Sequence, residues 1–108
     1  MSAIRLEKRT LQRATVAWGV HARDDHGLLP RGTARDVSTN GMFVELGANE
    51  LPRRGSRLTL RIFPAGSARY LDLNATVRWT GFSPRHQCQG VGLSFDIVAA
   101  HGAHPWAA

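Results

Sequence analysis

The feature that most constrains this chain is a segment, residues 70–79, in which apolar and polar side chains alternate strictly. A period of two is typical of a β-strand with one buried face. The alternation predicts that one face of this strand is apolar and packs in the core. The residues of this apolar face are Leu71, Leu73, Ala75, Val77 and Trp79.

Shorter β-prone segments precede and follow this strand, and turn-forming residues separate most of them. The predicted strands cover residues 16–22, 32–37, 42–46, 57–63, 70–79 and 90–95. Six short strands with turns between them predict an all-β domain, either a closed barrel or a sandwich. No segment has a convincing helical period, and Gly102 and Pro105 limit any helix in the tail to one or two turns.

The charged residues point to an acidic partner. Lys and Arg number 14 against 8 Asp and Glu, and Lys8 is the only lysine. An Arg guanidinium presents a planar set of donors that fits phosphate and the O6/N7 edge of guanine. The single cysteine, Cys88, cannot form an intramolecular disulfide, and no apolar run approaches the length of a membrane span or a signal-peptide core. We therefore expect a cytoplasmic domain that does not contact the membrane.

Residue patterns typical of enzymes and metal sites do not stand out. His86 and Cys88 are two residues apart and His101 and His104 three apart, but neither pair has the partners that a structural zinc site needs. The sequence contains no nucleophile-elbow or phosphate-loop motif, and its acids are scattered. We expect a binding module without catalytic activity, metal or cofactor.

Two short motifs carry the functional information. Arg9 and Arg13 lie four residues apart just before the first predicted strand, and Asp36, Ser38 and Gly41 form an Asp-x-Ser-x-x-Gly motif at a strand–turn–strand junction. Alone, the second motif is explained by turn formation, because Asp and Ser side chains bond nearby backbone N–H groups and Gly tolerates positive φ. An Arg pair at this spacing is also common by itself.

Together, in this order and in a chain of six predicted strands, the two motifs resemble the PilZ domain family. Its signature is R-x-x-x-R followed some twenty residues later by [D/N]-x-S-x-x-G. Residues 75–79 and 90–95 resemble the long aromatic-ended strand and the late Gly-x-Gly strand of that family. The resemblance covers residues 8–98 and implies a six-stranded antiparallel β-barrel, here with a short or absent C-terminal helix.

The resemblance also implies a ligand and a mechanism. PilZ domains bind the bacterial second messenger cyclic di-GMP, often as a self-intercalated pair, and an N-terminal arm that wraps onto the barrel relays the signal to an effector protein. It implies that Arg9 and Arg13 reach the phosphates and the Hoogsteen edges of guanine, while Asp36, Ser38 and Gly41 cup a guanine from the other side.

The chemistry of the second motif fits that role. Asp36 can accept hydrogen bonds from guanine N1–H and N2–H₂, Ser38 can donate to a phosphate or hold the turn, and Gly41 allows a tight turn and close approach of a base. Trp18 and Trp79 are predicted to lie in the core. Because Trp79 is near a strand end, the alternative for this residue is that it flanks the ligand.

Some assignments stay open. Arg5 and Arg9 also fit R-x-x-x-R, so Arg5 is a further candidate ligand residue. The resemblance implies that the residue just before the first motif, here Lys8, influences whether the domain binds one ligand molecule or a pair. The expected organisation is an N-terminal arm (1–13), a barrel (14–98) and a tail (99–108). The alternatives are an adaptor that binds a protein without nucleotide and a basic barrel that binds single-stranded nucleic acid.

Overall fold

A computed structural model of the protein describes residues 13–47 and 51–96. These residues form strands and connecting turns, with no helix among them. The strands are β1 (Ala14–Asp24), β2 (Gly27–Leu28), β3 (Gly32–Val37), β4 (Gly41–Leu46), β5 (Arg57–Phe63), β6 (Leu71–Ser83) and β7 (Cys88–Phe95).

The long strands close into a barrel. The order in the sheet is β2-β1-β3-β4-β7-β6-β5, every pairing is antiparallel, and β1 also pairs with β5. The two-residue β2 only extends the hairpin at the end of β1. Closure pairs both sides of each long strand and removes the exposed sheet edges that promote aggregation. The predicted six-stranded antiparallel barrel is thus confirmed. The predicted tail, with its short or absent helix, and nearly all of the predicted arm lie outside the described residues.

Alternating apolar side chains fill the barrel interior. On β5, Leu58, Leu60 and Ile62 are each at most 2% exposed, as their period of two predicts. Full burial of such a side chain is worth about 1.5–3 kcal/mol. The partly buried side chain of Trp18 packs against the hydrophobic core cluster inside the barrel. The cluster consists of Val20, Ala22, Ala34, Met42, Val44, Leu46, Leu58, Leu60, Ile62, Ala75, Val77, Val91 and Leu93.

The strand register shifts at three places, which lie between Thr15 and Trp18 in β1, in β3 and in β6. The β-bulges in β3 and β6 bear on the site. In β3, Ala34 pairs with Val44 but Asp36 pairs with Phe43, so Arg35 is an extra residue. In β6, Val77 pairs with Leu93 but Trp79 pairs with Gly92, so Arg78 is likewise extra. A bulge re-aims the side chains that follow it.

The bulge in β6 overturns the prediction that Trp79 lies in the core. Ala75 and Val77 are fully buried, but Trp79 is 42% exposed because the extra residue turns it to the outer side of the barrel. No helix in the described part of the chain combines the length and apolar character required to cross a bilayer.

Candidate functional site

A row of four paired residues runs across the outer side of the barrel. Asp36 on β3 pairs with Phe43 on β4, Phe43 pairs with Gly92 on β7, and Gly92 pairs with Trp79 on β6. Residues directly opposite each other in a sheet point to the same side. The bulges at Arg35 and Arg78 therefore bring Asp36 and Trp79 into one row, although they come from distant parts of the sequence.

Aromatic rings form a shelf in this row. Trp79 stacks on Phe43 with ring centroids 5.3 Å apart, and His86 stacks on the same ring at 5.2 Å, both at 14° between planes. A Cβ added at Gly92 would overlap the Trp79 indole, so the missing side chain makes room for the indole to reach Phe43. We call Phe43, Trp79 and His86 the aromatic shelf.

Asp36 lies beside the shelf with both carboxylate oxygens bonded. Arg13 Nη1 donates to Oδ1 over 2.6 Å, and His86 Nε2 lies 2.5 Å from Oδ2. The Asp36 side chain is only 6% exposed, whereas that of Arg13 is 37% exposed. Burial of a carboxylate is tolerated when hydrogen-bond donors compensate its lost hydration, and Arg13 and His86 are those donors for Asp36.

A cleft of about 470 Å³ opens over this row. Its lining includes Arg13, Arg78 and Arg85, and Asp36 is the one acidic residue among the described residues that line it. Arg78 is held in place by donating from Nε to Ser94 Oγ over 2.7 Å. The size is within the range of small-molecule sites, and the excess of cations favours an anionic ligand with planar groups that can stack.

The turn of the second motif shapes one rim of the cleft. The Ser38 N–H donates to the Gly41 carbonyl over 2.8 Å, and the Asn40 N–H donates to Ser38 Oγ over 3.2 Å. Ser38 thus holds the turn and is not among the cleft-lining residues, whereas Asn40 and Gly41 are. These bonds are those expected of a Ser side chain at a turn.

Gly41 serves close packing rather than an unusual backbone angle. It is not among the glycines with positive φ, but a Cβ there would overlap the Leu93 carbonyl of β7. A side chain at this position would force β4 and β7 apart next to the cleft. The close approach that the structure shows at Gly41 is that of β7, and the approach of a base there stays a prediction.

The structure brings four predicted residues together at the cleft: Arg13, Asp36, Gly41 and Trp79. Ser38 lies in the adjoining turn, and the predictions for Arg5, Lys8 and Arg9 fall outside the described residues. Sequence reasoning missed the other cleft residues that bear on chemistry, which are Phe43, Arg78, Arg85 and His86. The signal for two of them was the basic turn between β6 and β7, where Arg85 and His86 are adjacent.

Cys88 shows no sign of an activated nucleophile. Partial burial and the nearby Glu45 carboxylate raise the pKa of the thiol, which disfavours the reactive thiolate. Among the residues that the structure describes, no cluster of His, Cys, Asp and Glu side chains is suited to hold a metal ion.

The PilZ domain model matches residues 4–102 of the sequence. The chain belongs to the PilZ domain family. PilZ domains are binding and receptor domains for cyclic di-GMP rather than catalysts. No curated relative matches the sequence.

Among solved structures, this PilZ domain is similar to the Bacillus subtilis inhibitor of motility, MotI/DgrA, with a TM-score of 0.67 and 21% sequence identity. The alignment covers 82% of this chain and 42% of that one, so this chain spans less than half the length of its neighbour. At this identity the likeness supports the barrel fold.

Proposed function

We propose that this PilZ domain is a receptor that binds cyclic di-GMP in the cleft over the aromatic shelf. The observation that carries the proposal is the meeting of the two motifs at one place. Arg13 of the first motif contacts Asp36 of the second, and both line a cleft whose lining includes two further Arg residues. Cyclic di-GMP has two phosphates and two guanines. Its site therefore requires cations for the phosphates, hydrogen-bonding groups for the guanine edges and a surface on which a base can stack.

The Arg residues would bind the phosphates and the acceptor edge of guanine. Arg9 and Arg13 are the preferred pair, with Arg5 and Lys8 as additional cations from the same segment. A guanidinium that donates to both O6 and N7 of guanine contributes about 1–3 kcal/mol of base discrimination in DNA complexes. Arg78 and Arg85 add positive potential from the barrel side of the cleft.

Asp36 would read the donor edge of guanine. In the structure, Arg13 is bonded to the same carboxylate. Binding therefore exchanges the Arg13–Asp36 pair for two pairs with the ligand: guanidinium with phosphate or guanine, and carboxylate with guanine N1–H and N2–H₂. Charge-assisted bonds contribute about 1.5–3 kcal/mol each, so two new ones can offset the loss of one.

Trp79 would flank the ligand. Its indole is 42% exposed at the cleft while stacked on Phe43. This arrangement offers an aromatic surface to a base without the need to reposition the side chain. Gly41 would keep the adjoining rim close to the barrel, and Ser38 would hold the turn from which Asn40 reaches the cleft.

The signal would be relayed by the N-terminal arm, residues 1–13. Ordering backbone costs about 1–2 kcal/mol per residue, and the arm has few apolar side chains to offset it. Ligand contacts to Arg9 and Arg13 would supply that free energy and present a new surface to an effector protein. A receptor for an intracellular second messenger acts in the cytoplasm.

Isothermal titration calorimetry with cyclic di-GMP, followed by single-stranded polynucleotides, tests the proposal. We expect saturable binding of cyclic di-GMP and weak, salt-sensitive binding of polynucleotides. Tight polynucleotide binding without cyclic di-GMP binding would favour a nucleic-acid module. Binding of neither would favour a PilZ-like adaptor that contacts a protein directly.

A further inference from the structure

His86 lies outside both motifs and yet contacts the central residue of the cleft. It sits in the turn between β6 and β7, with Nε2 2.5 Å from Asp36 Oδ2 and its ring stacked on Phe43. Its side chain is 9% exposed. A histidine so enclosed, with one ring nitrogen on a carboxylate, has a fixed orientation.

The turn that carries His86 is itself held by internal hydrogen bonds. The His86 N–H donates to Ser83 Oγ over 3.2 Å, and the Gln87 N–H donates to the Ser83 carbonyl over 2.7 Å. Gln87 Nε2 also donates to the Pro84 carbonyl over 2.8 Å. His86 is therefore positioned before any ligand arrives.

The two donors on Asp36 differ in how readily they can leave. Arg13 is 37% exposed and comes from the segment in which the first motif lies, so ligand phosphate can attract its guanidinium. His86 is enclosed by the shelf and by its own turn, so it can stay on Oδ2. If Arg13 leaves Oδ1 while His86 stays on Oδ2, the carboxylate keeps its position and Oδ1 becomes available to guanine.

We propose that His86 is a positioning residue for guanine recognition, which holds Asp36 through Oδ2 so that Oδ1 faces the donor edge of the base. This inference rests on the proposed function. Both neutral imidazole with a proton on Nε2 and imidazolium can donate to Asp36, so the role requires the donor and not a particular charge. The same donor keeps Asp36 from being left unsatisfied when Arg13 moves to the ligand.

Two variants separate the donor from the ring. His86→Phe keeps a ring for the stack on Phe43 but removes the donor, and His86→Gln supplies an amide donor near the position of Nε2 but loses the ring. The probes are cyclic di-GMP and cyclic di-IMP, whose hypoxanthine lacks the exocyclic N2 amino group. Calorimetry gives the ratio of the two dissociation constants, a measure of guanine recognition that a purely structural role would not change.

We expect His86→Phe to bind cyclic di-GMP about tenfold more weakly, corresponding to about 1.4 kcal/mol. Its preference for cyclic di-GMP over cyclic di-IMP should fall towards unity, while His86→Gln keeps the preference of the parent. The control is His26→Gln. His26 lies in the exposed turn between β1 and β2, so this variant should match the parent. Thermal melts of each variant report on folding.

A second measurement uses the unmodified protein and needs no variant. The imidazole Nε2–H of His86, followed by nitrogen-15 NMR, should remain hydrogen-bonded and protected from exchange when cyclic di-GMP binds. Loss of that proton signal on binding, or a His86→Phe protein with parental affinity and preference, would overturn the positioning role alone. A parent that binds no cyclic di-GMP would overturn the proposed function and this role with it.

Discussion

Arg13 Nη1 donates to Asp36 Oδ1 over 2.6 Å, which joins the last residue of the first motif to the first residue of the second. Two side chains expected to bind the ligand are thus partners of each other in the free protein. The pair compensates the charge of the Asp36 carboxylate, and it holds one end of the first motif against the barrel. In the proposed binding mode, the ligand replaces this contact.

The first prediction follows from that exchange. Arg13→Ala should weaken cyclic di-GMP binding by about ten- to a hundredfold, because a charge-assisted bond worth about 1.5–3 kcal/mol is lost. Arg13 is partly exposed and His86 still donates to Asp36, so the melting temperature should change little. Calorimetry and a thermal melt measure the two effects.

The matched control is Arg35→Ala. Arg35 also pairs with a carboxylate, Glu45 at 3.1 Å, but it is not among the residues that line the cleft. Parental affinity in both Arg13→Ala and Arg9→Ala would contradict the assignment of the first motif. Weaker binding in Arg5→Ala and Arg9→Ala, with parental affinity in Arg13→Ala, would show that the motif is Arg5 and Arg9 instead.

The second prediction concerns base selectivity at Asp36. Cyclic di-GMP should bind much more tightly than cyclic di-AMP, because adenine N1 would place an acceptor against Asp36 Oδ1 and leave that oxygen without a donor. Asp36→Asn should reduce this preference, since the amide replaces one acceptor oxygen with a donor. Competition titrations with the two dinucleotides measure it, and equal binding by the parent would refute the role of Asp36.

The third prediction concerns Gly92. Gly92→Ala should displace the Trp79 indole from Phe43, because the added Cβ would occupy its place. The barrel should survive, since Trp79 is 42% exposed and can rotate outward. We expect altered tryptophan fluorescence and weaker cyclic di-GMP binding.

Gly19→Ala is the control for that experiment. A Cβ at Gly19, in β1, would meet only Phe63 at 3.9 Å, an ordinary contact. The variant should keep both the fluorescence and the affinity of the parent. If Gly92→Ala changes the fluorescence but keeps the parental affinity, the indole does not take part in binding. Parental fluorescence in Gly92→Ala would contradict the close packing of the indole on Gly92.

The fourth prediction concerns the arm. Amides of residues 5–13 should exchange at nearly the unprotected rate in the free protein and slow markedly when cyclic di-GMP binds. The reason is energetic: Leu6 and Leu11, at about 1.5–3 kcal/mol each, cannot offset the ordering of nine residues. Hydrogen–deuterium exchange measures this, with residues 70–79 of the barrel as a protected internal reference. An arm already protected without ligand would mean a preformed site and no switch of this kind.

Local patterns in the sequence were enough to predict the strands and an all-β barrel or sandwich, and the resemblance to the PilZ family selected the barrel. The alternation in residues 57–63 predicted the buried face of β5, and the order of the strands with the two motifs led to the PilZ family. These features are local because a strand's period of two and the chemistry of a turn are properties of adjacent residues.

The cleft was decided by tertiary structure. Alternation extrapolated through residues 70–79 placed Trp79 in the core, because a period of two cannot reveal the extra residue at Arg78. The bulge at Arg35 likewise sets Asp36 opposite Phe43. His86 reaches Asp36 across 50 positions of sequence. Strand register and bulges depend on the partner strands that a segment meets when the barrel closes, so they arise from non-local pairing that no single segment contains.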